Sequence, residues 1–298
     1  VSSIHFLLRR FVPAELTQLE PEAGVLTMAL VTKWPQRKVT IDGSGVLTLS
    51  GAFTQSGGTT GGTVDINSAT FTQSGGAVIA AGTTVTSTGA QSLQGGTIAG
   101  NLDGAGAITA ASGTTDITGT VTNASGLTVS GGTVNVTGAG TVDTSGNLIT
   151  ISSGTLATDT DALANNETVS ISGGSYNVSG TDTIAALTQS GGVVDGAGTL
   201  TTTGAFTQSG GTTGGAVNID SATFTQSGGG IIAAGTSVTS TGAQSLQGGT
   251  IAGNLDGAGA ITAASGTTNI TGAVTNAASF SVTGGTVNVN GAGTIDTA

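Results

Sequence analysis

The chain has no cysteine, which excludes disulfide stapling and thiolate metal sites. Proline is down to 3 of 298 residues, and aromatic residues to 3 %. Charged residues make up 7 %, against the ~25 % of an ordinary globular protein. No apolar run approaches the ~18 residues that a membrane-spanning helix needs, so no such span is expected. Low charge with a mean hydropathy of +0.27 is the reverse of a disordered composition, and an ordered chain is expected.

Cations are missing from most of the chain. Arg9, Arg10, Lys33, Arg37 and Lys38 are the only five, and all precede residue 39. Three of the sixteen acids accompany them, so residues 1–38 carry about +2 and residues 39–298 about −13 by side-chain count. An acidic body without Lys or Arg excludes nucleic acid as a partner, because phosphates demand cations. The single imidazole, His5, lies in the same short segment, and no Gly-x-Ser-x-Gly elbow partners it in a hydrolytic triad. A lysine-bearing phosphate loop is equally absent from the body. A non-enzymatic chain with no cofactor is expected.

What is present is glycine, 54 residues of it, together with Thr, Ser and Ala. Collagen is excluded because the glycines keep no three-residue period. They fall instead into repeats. Ala52-Phe-Thr-Gln-Ser-Gly-Gly58 recurs as Ala205-Phe-Thr-Gln-Ser-Gly-Gly211. The match runs without a gap from 41–145 onto 194–298, with roughly four residues in five identical. Inside this block lies a shorter unit, an apolar residue followed by a polar stretch and, in most copies, Gly-Gly. Its anchors are Phe53, Phe71, Leu93, Ile108, Leu127, Leu148, Val169, Leu187, Phe206, Phe224, Leu246, Ile261 and Phe280. Their spacing averages about 19 residues and continues across 146–193, where the long repeat has no copy.

Segments such as Thr133-Val-Asn-Val-Thr137 and Leu148-Ile-Thr-Ile-Ser152 are β-branched and alternate with period two, the pattern of a strand. Gly-Gly and Ser-Gly clusters break them into short pieces, as tight turns require. Short strands repeated at the length of one coil predict an all-β, parallel β-solenoid of about fourteen coils over 39–298. An antiparallel sandwich, the rival, has no reason to repeat residue for residue. Val, Ile, Leu, Ala and Phe, with Tyr176, are expected inside, and Thr, Ser, Asn and Asp outside.

Residues 1–38 are foreign to the repeats and are expected to form an N-terminal cap or a docking segment. The candidate residues are Ile4, Phe6, Leu8, Arg9, Arg10, Phe11, Lys33, Trp34, Arg37 and Lys38, an apolar and cationic set. A cap would cover the open end of the stack. A docking segment would add its strand to the final coil of another copy, where the sequence stops in mid-pattern at Thr294-Ile-Asp-Thr-Ala298, and build head-to-tail filaments. No signal peptide is visible at Val1, so the chain is read as a mature or excised fragment.

The short unit, as in Gly126-Leu-Thr-Val-Ser-Gly-Gly-Thr-Val-Asn-Val136 and Leu187-Thr-Gln-Ser-Gly-Gly-Val193, resembles the coils of filamentous-haemagglutinin-type and autotransporter passenger proteins. The resemblance covers 39–298. It implies export to the bacterial surface or beyond, and a structural or adhesive fibre whose partners are further copies of itself or host and matrix glycans and proteins.

Two other functions are weighed beside it. A glycan-active β-helix enzyme would use paired carboxylates; Asp159 and Asp161 alternate, and Asp42, Asp103, Asp143, Asp195, Asp256 and Asp296 sit near glycine turns. An ice-binding solenoid would need a regular Thr-x-Thr at one position in every coil, whereas Thr86-Ser-Thr88 and Thr201–Thr203 mark some coils only. Structural calcium has only distant echoes of its nonapeptide, at Gly138–Asp143 and Gly291–Asp296.

Overall fold

The computed structural model describes residues 26–27 and 40–297, all in strands, turns and loops, with no helix. The expected cap or docking residues between Ile4 and Lys38 lie outside the described residues.

One coil shows how the sequence builds the fold. Thr63–Ser68 forms a first face, Thr70–Ser74 a second and Val78–Ile79 a third, with glycine turns between. Alternation sends Val64, Ile66, Phe71 and Ile79 inward and leaves Thr63 and Asp65 in water. The next coil repeats the path as Thr84–Ser87, Gln91–Gln94 and Gly96–Ile98. All strand pairing between these coils is parallel and in register: Ile66 lies beside Val85, Phe71 beside Gln91, and Ile79 beside Ile98. Each coil therefore sits about 4.8 Å from the next, and backbone hydrogen bonds run along the stacking direction.

The coils fall into two compact units, Val1–Asn147 and Leu148–Ala298. In the first, the third face holds six strands, from Thr40–Ile41 to Thr133–Val136. In the second it holds eight, from Thr155–Thr158 to Thr286–Val289. The expected all-β parallel solenoid of about fourteen coils is thus present. Its step on the third face is nineteen residues over successive coils, as in Ile79, Ile98, Ile117 and Val136. The intervening coils 146–193 fold chiefly with the second unit. There Thr199–Gln208 and Asn218–Ser227 run unbroken round the corner from first face to second, with a register shift between Thr202 and Ala205.

The interior of each unit is mostly Ile, Val, Leu and Ala. Phe53 stacks on Phe71 with ring centroids 5.6 Å apart, and Phe206 on Phe224 at 5.2 Å. Each fully buried side chain of this size contributes roughly 1.5–3 kcal/mol. Among the anchors, Phe53, Phe71, Leu93, Ile108, Leu127, Val169, Leu187, Phe206, Phe224, Leu246 and Ile261 are buried.

Leu148 is a correction: it is 48 % exposed. In Leu148–Ile151 the inward positions are Ile149 and Ile151, so the strand alternation turns Leu148 outward. Phe280 is half-buried, on the last described strand of its face. Nor do the anchors form one unbroken row. Leu93 lies beside Gln73 and Phe71 beside Gln91, because the two anchors are 22 residues apart and the coil between them takes 20.

Candidate interaction faces

Parallel, in-register stacking turns each outward position into a row. On the first face of the first unit one row reads Thr48, Asn67, Thr86, Asp103, Thr122. In the second unit the equivalent row reads Thr183, Thr201, Asp220, Thr239, Asp256, Thr275. From Thr48 in the first unit and from Thr201 in the second, hydroxyl and carboxylate or amide groups alternate, and some bond across coils. Thr122 donates to Asp103 at 3.3 Å and Thr275 to Asp256 at 3.2 Å. Asn123 and Asn276, both with left-handed backbone (φ 59° and 57°), donate their amides to the same two carboxylates at 2.8 Å. Asp103 and Asp256 are therefore held by Thr and Asn side chains of the following coil.

The second face is chemically different. Its central outward row in the first unit is Thr54, Thr72, Ser92, Thr109, Thr128. In the second unit it is Thr150, Ser170, Thr188, Thr207, Thr225, Ser245, Thr262, Ser281. Every coil places a hydroxyl there. Two residues further along the chain, just past the strand end in most coils, stands a second rank, which in the second unit runs Ser152, Ser172, Ser190, Ser209, Ser227, Gln247, Ala264, Thr283. No position of either rank is charged.

Beneath this face lies a polar network that the sequence reading did not place. Gln55, Gln73, Gln189, Gln208 and Gln226 are all buried. Gln226 donates to Gln208 and Gln208 to Gln189, each at 3.0 Å, while Thr213 donates to Gln189 at 2.8 Å. The amides also cap backbone carbonyls of the third face: Gln208 reaches Ile231 at 3.0 Å, Gln226 reaches Thr250 at 3.2 Å, and Gln73 reaches Thr97 at 3.0 Å. The signal was in the alternation. In Phe53-Thr-Gln55 the glutamine stands two residues from a core phenylalanine, and so on the same side of the strand.

The intervening coils hold a second buried polar group. Asp182 and Tyr176 are both fully buried. Asp182 accepts from the phenol of Tyr176 at 3.0 Å and from the backbone amide of Leu163 at 3.0 Å. Burial pushes the Asp182 carboxyl up to about 6, against the opposing pull of these donors and of Thr158, and the Asp161 charge adds to the rise. Burial first, and then the Asp182 charge, raises Tyr176 well above its ordinary value.

Of the candidate carboxylates, Asp103 and Asp256 stand in the first-face rows, Asp42 at a turn and Asp195 on the third-face strand Val193–Gly196; Asp42 and Asp195 each accept from the amide of the following glycine. Asp159 and Asp161 do not alternate along a strand as expected. Asp161 lies in a turn with φ 53°, because the strand ends at Thr158. Among the described residues no cluster of three or more His, Cys, Asp or Glu stands close enough to hold a metal ion, and no helix is long and apolar enough to cross a membrane. Comparison of the chain with protein-family models, with curated proteins and with solved structures finds no match.

Proposed function

We propose that the chain is a structural or adhesive repeat segment, carried outside the cell or on a bacterial surface, of the filamentous-haemagglutinin and autotransporter-passenger kind. One observation carries this reading: stacking in register converts single polar residues into long uninterrupted rows, so the molecule's chemistry is that of extended faces. Such faces suit many weak contacts with a repetitive partner, where avidity replaces a single tight pocket. The composition supports the same reading, since a body with no Lys or Arg offers no tryptic site. Opposite charge on residues 1–38 and 39–298 favours contact between copies, head to body.

The test has two arms. Antibodies against the chain are applied to intact cells of its source, with immunogold labelling and protease shaving; surface label is expected, and label confined to the cytoplasm overturns the reading. The purified chain, coupled to beads, is then offered immobilised glycans and matrix proteins. Saturable retention without product is expected, while release of reducing or unsaturated sugar ends replaces the reading with a glycan-active enzyme. Sedimentation over a concentration series reads assembly between copies directly.

A further inference from the structure

The second face has a property that neither fibre nor adhesin requires: it carries a neutral row with a hydroxyl in every coil, flanked by a second neutral rank in which Ser and Thr are broken only by Gln247 and Ala264. We propose that this face of the second unit, Thr150 to Ser281 with its Ser172–Ser227 companion rank, binds the surface of ice.

The lattice is fixed by the fold. Along the first rank the hydroxyls repeat at about 4.8 Å, the spacing of paired strands. This spacing approaches the oxygen repeat along the prism faces of hexagonal ice. Eight coils carry the first rank over about 34 Å, with Thr or Ser at every one. A hydroxyl row of this length holds water at lattice positions through many shared weak bonds, so that no single strong contact is needed.

The ranks are also rigid. Threonine has little freedom about χ1. Beneath Thr207 and Thr225, on the same strands, Phe206 stacks on Phe224 and Gln208 bonds to Gln226. These inward pairs pin the strands that display the outward hydroxyls, so ordering the face on contact costs little further entropy.

Charge selects the partner. Neither rank has a carboxylate, whereas the first face has one in alternate coils at Asp220 and Asp256. A carboxylate keeps a hydration shell that does not fit a neutral lattice. Protein partners draw on aromatic and arginine anchors, and this face has neither in its two ranks. A sugar polymer would be expected to find a stacking platform, which is missing for the same reason. The second face places a hydroxyl at one position in every coil, as Thr or Ser and never as Thr-x-Thr, and coils of 17 to 20 residues shift that position along the sequence.

The experiment uses the full chain in dilute buffer, with thermal hysteresis and crystal shape read by nanolitre osmometry and retention read by slow growth of an ice hemisphere. Faceted crystals, a freezing point below the melting point and enrichment in the ice are expected. Thr207→Tyr, in the centre of the ranks, lowers hysteresis severalfold, while Thr239→Tyr on the acidic face leaves it unchanged; circular dichroism verifies that both fold. Round crystals with exclusion of the chain from ice overturn the proposal. So does equal loss in both variants, and so does concentration-dependent self-association that Thr207→Tyr abolishes without any change in ice, which assigns the face to a second copy. Surface labelling and glycan retention can succeed or fail independently of this result.

Discussion

Tyr176 donates its phenol to Asp182 across 3.0 Å, with both side chains sealed from water. This pair makes the intervening coils sensitive to pH. The Asp182 carboxyl titrates near 6 in the folded chain and at its ordinary value of 3.8 once unfolded. Between those values the folded state holds a proton that the unfolded state has lost. Stability from this group is thus complete below about pH 4, falls as the pH rises through 6, and is then flat, with a total change on the order of 3 kcal/mol. The discriminating quantity is the difference between the protein and a variant that lacks this carboxyl. Asp182→Asn is expected to remove this share of the slope, read as urea midpoints of both proteins at pH 4, 5, 6 and 7. Parallel curves for the two proteins would refute it.

Buried glutamines fall into two classes with opposite expectations. Gln208 bonds to Gln189, Gln226, Thr213 and the carbonyl of Ile231. Gln208→Leu leaves buried partners unmatched and is expected to cost about 1–3 kcal/mol. Gln91 is equally buried, yet neither its amide nitrogen nor its amide oxygen has a protein partner. Gln91→Leu removes two unmatched polar atoms, so it is expected to be neutral or stabilising. Denaturant midpoints of the two variants rank them, and equal destabilisation would show that the network contributes nothing special.

Much of this architecture was legible because the repeat itself is physical. A nineteen-residue period, β-branched alternation and glycine clusters specify strand, turn and coil length together, and stacking equivalent residues is the arrangement that satisfies all three. Buried polar groups were harder to read. Gln73 and Asp182 enter the interior because partners in neighbouring coils receive them, and those partners are settled by register. Register also hid the hydroxyl face: Ser92 follows Thr72 by twenty residues and precedes Thr109 by seventeen, so a fixed period misses the row.

Leu148 and Ile149 test register at a single step. The sequence pattern points to Leu148 as the anchor, whereas the structure turns Leu148 to solvent and buries Ile149 completely beside Val169. Leu148→Ser is expected to change stability by less than about 0.5 kcal/mol. Ile149→Ser creates a cavity and buries a hydroxyl, at a cost of about 3–5 kcal/mol. Thermal unfolding followed by circular dichroism separates them, and a reversed order would mean that the strand is shifted by one residue, with every side chain on the wrong side.

Close stacking makes a sharper demand at Gly259. A Cβ there would run into the carbonyl of Gly242 in the preceding coil, which is backbone and cannot rotate away. Gly106 meets Gly89 in the same way in the duplicated block, so the tight approach belongs to the corner itself. Gly51 is the contrast, since a Cβ there meets nothing within 4 Å and its backbone is not left-handed. Gly51→Ala is expected to gain up to about 1 kcal/mol by restricting the unfolded chain. Gly259→Ala must push two coils apart, break ladder hydrogen bonds on either side of the corner, and lose several times that amount. Because each coil rests only on its neighbours, the damage should stay local. Hydrogen exchange should rise in Ala260–Ala263 and Gln244–Gln247 while Thr155–Thr158 remains protected. Uniform loss of protection across the second unit would mean that its coils unfold as one body and not as separable steps.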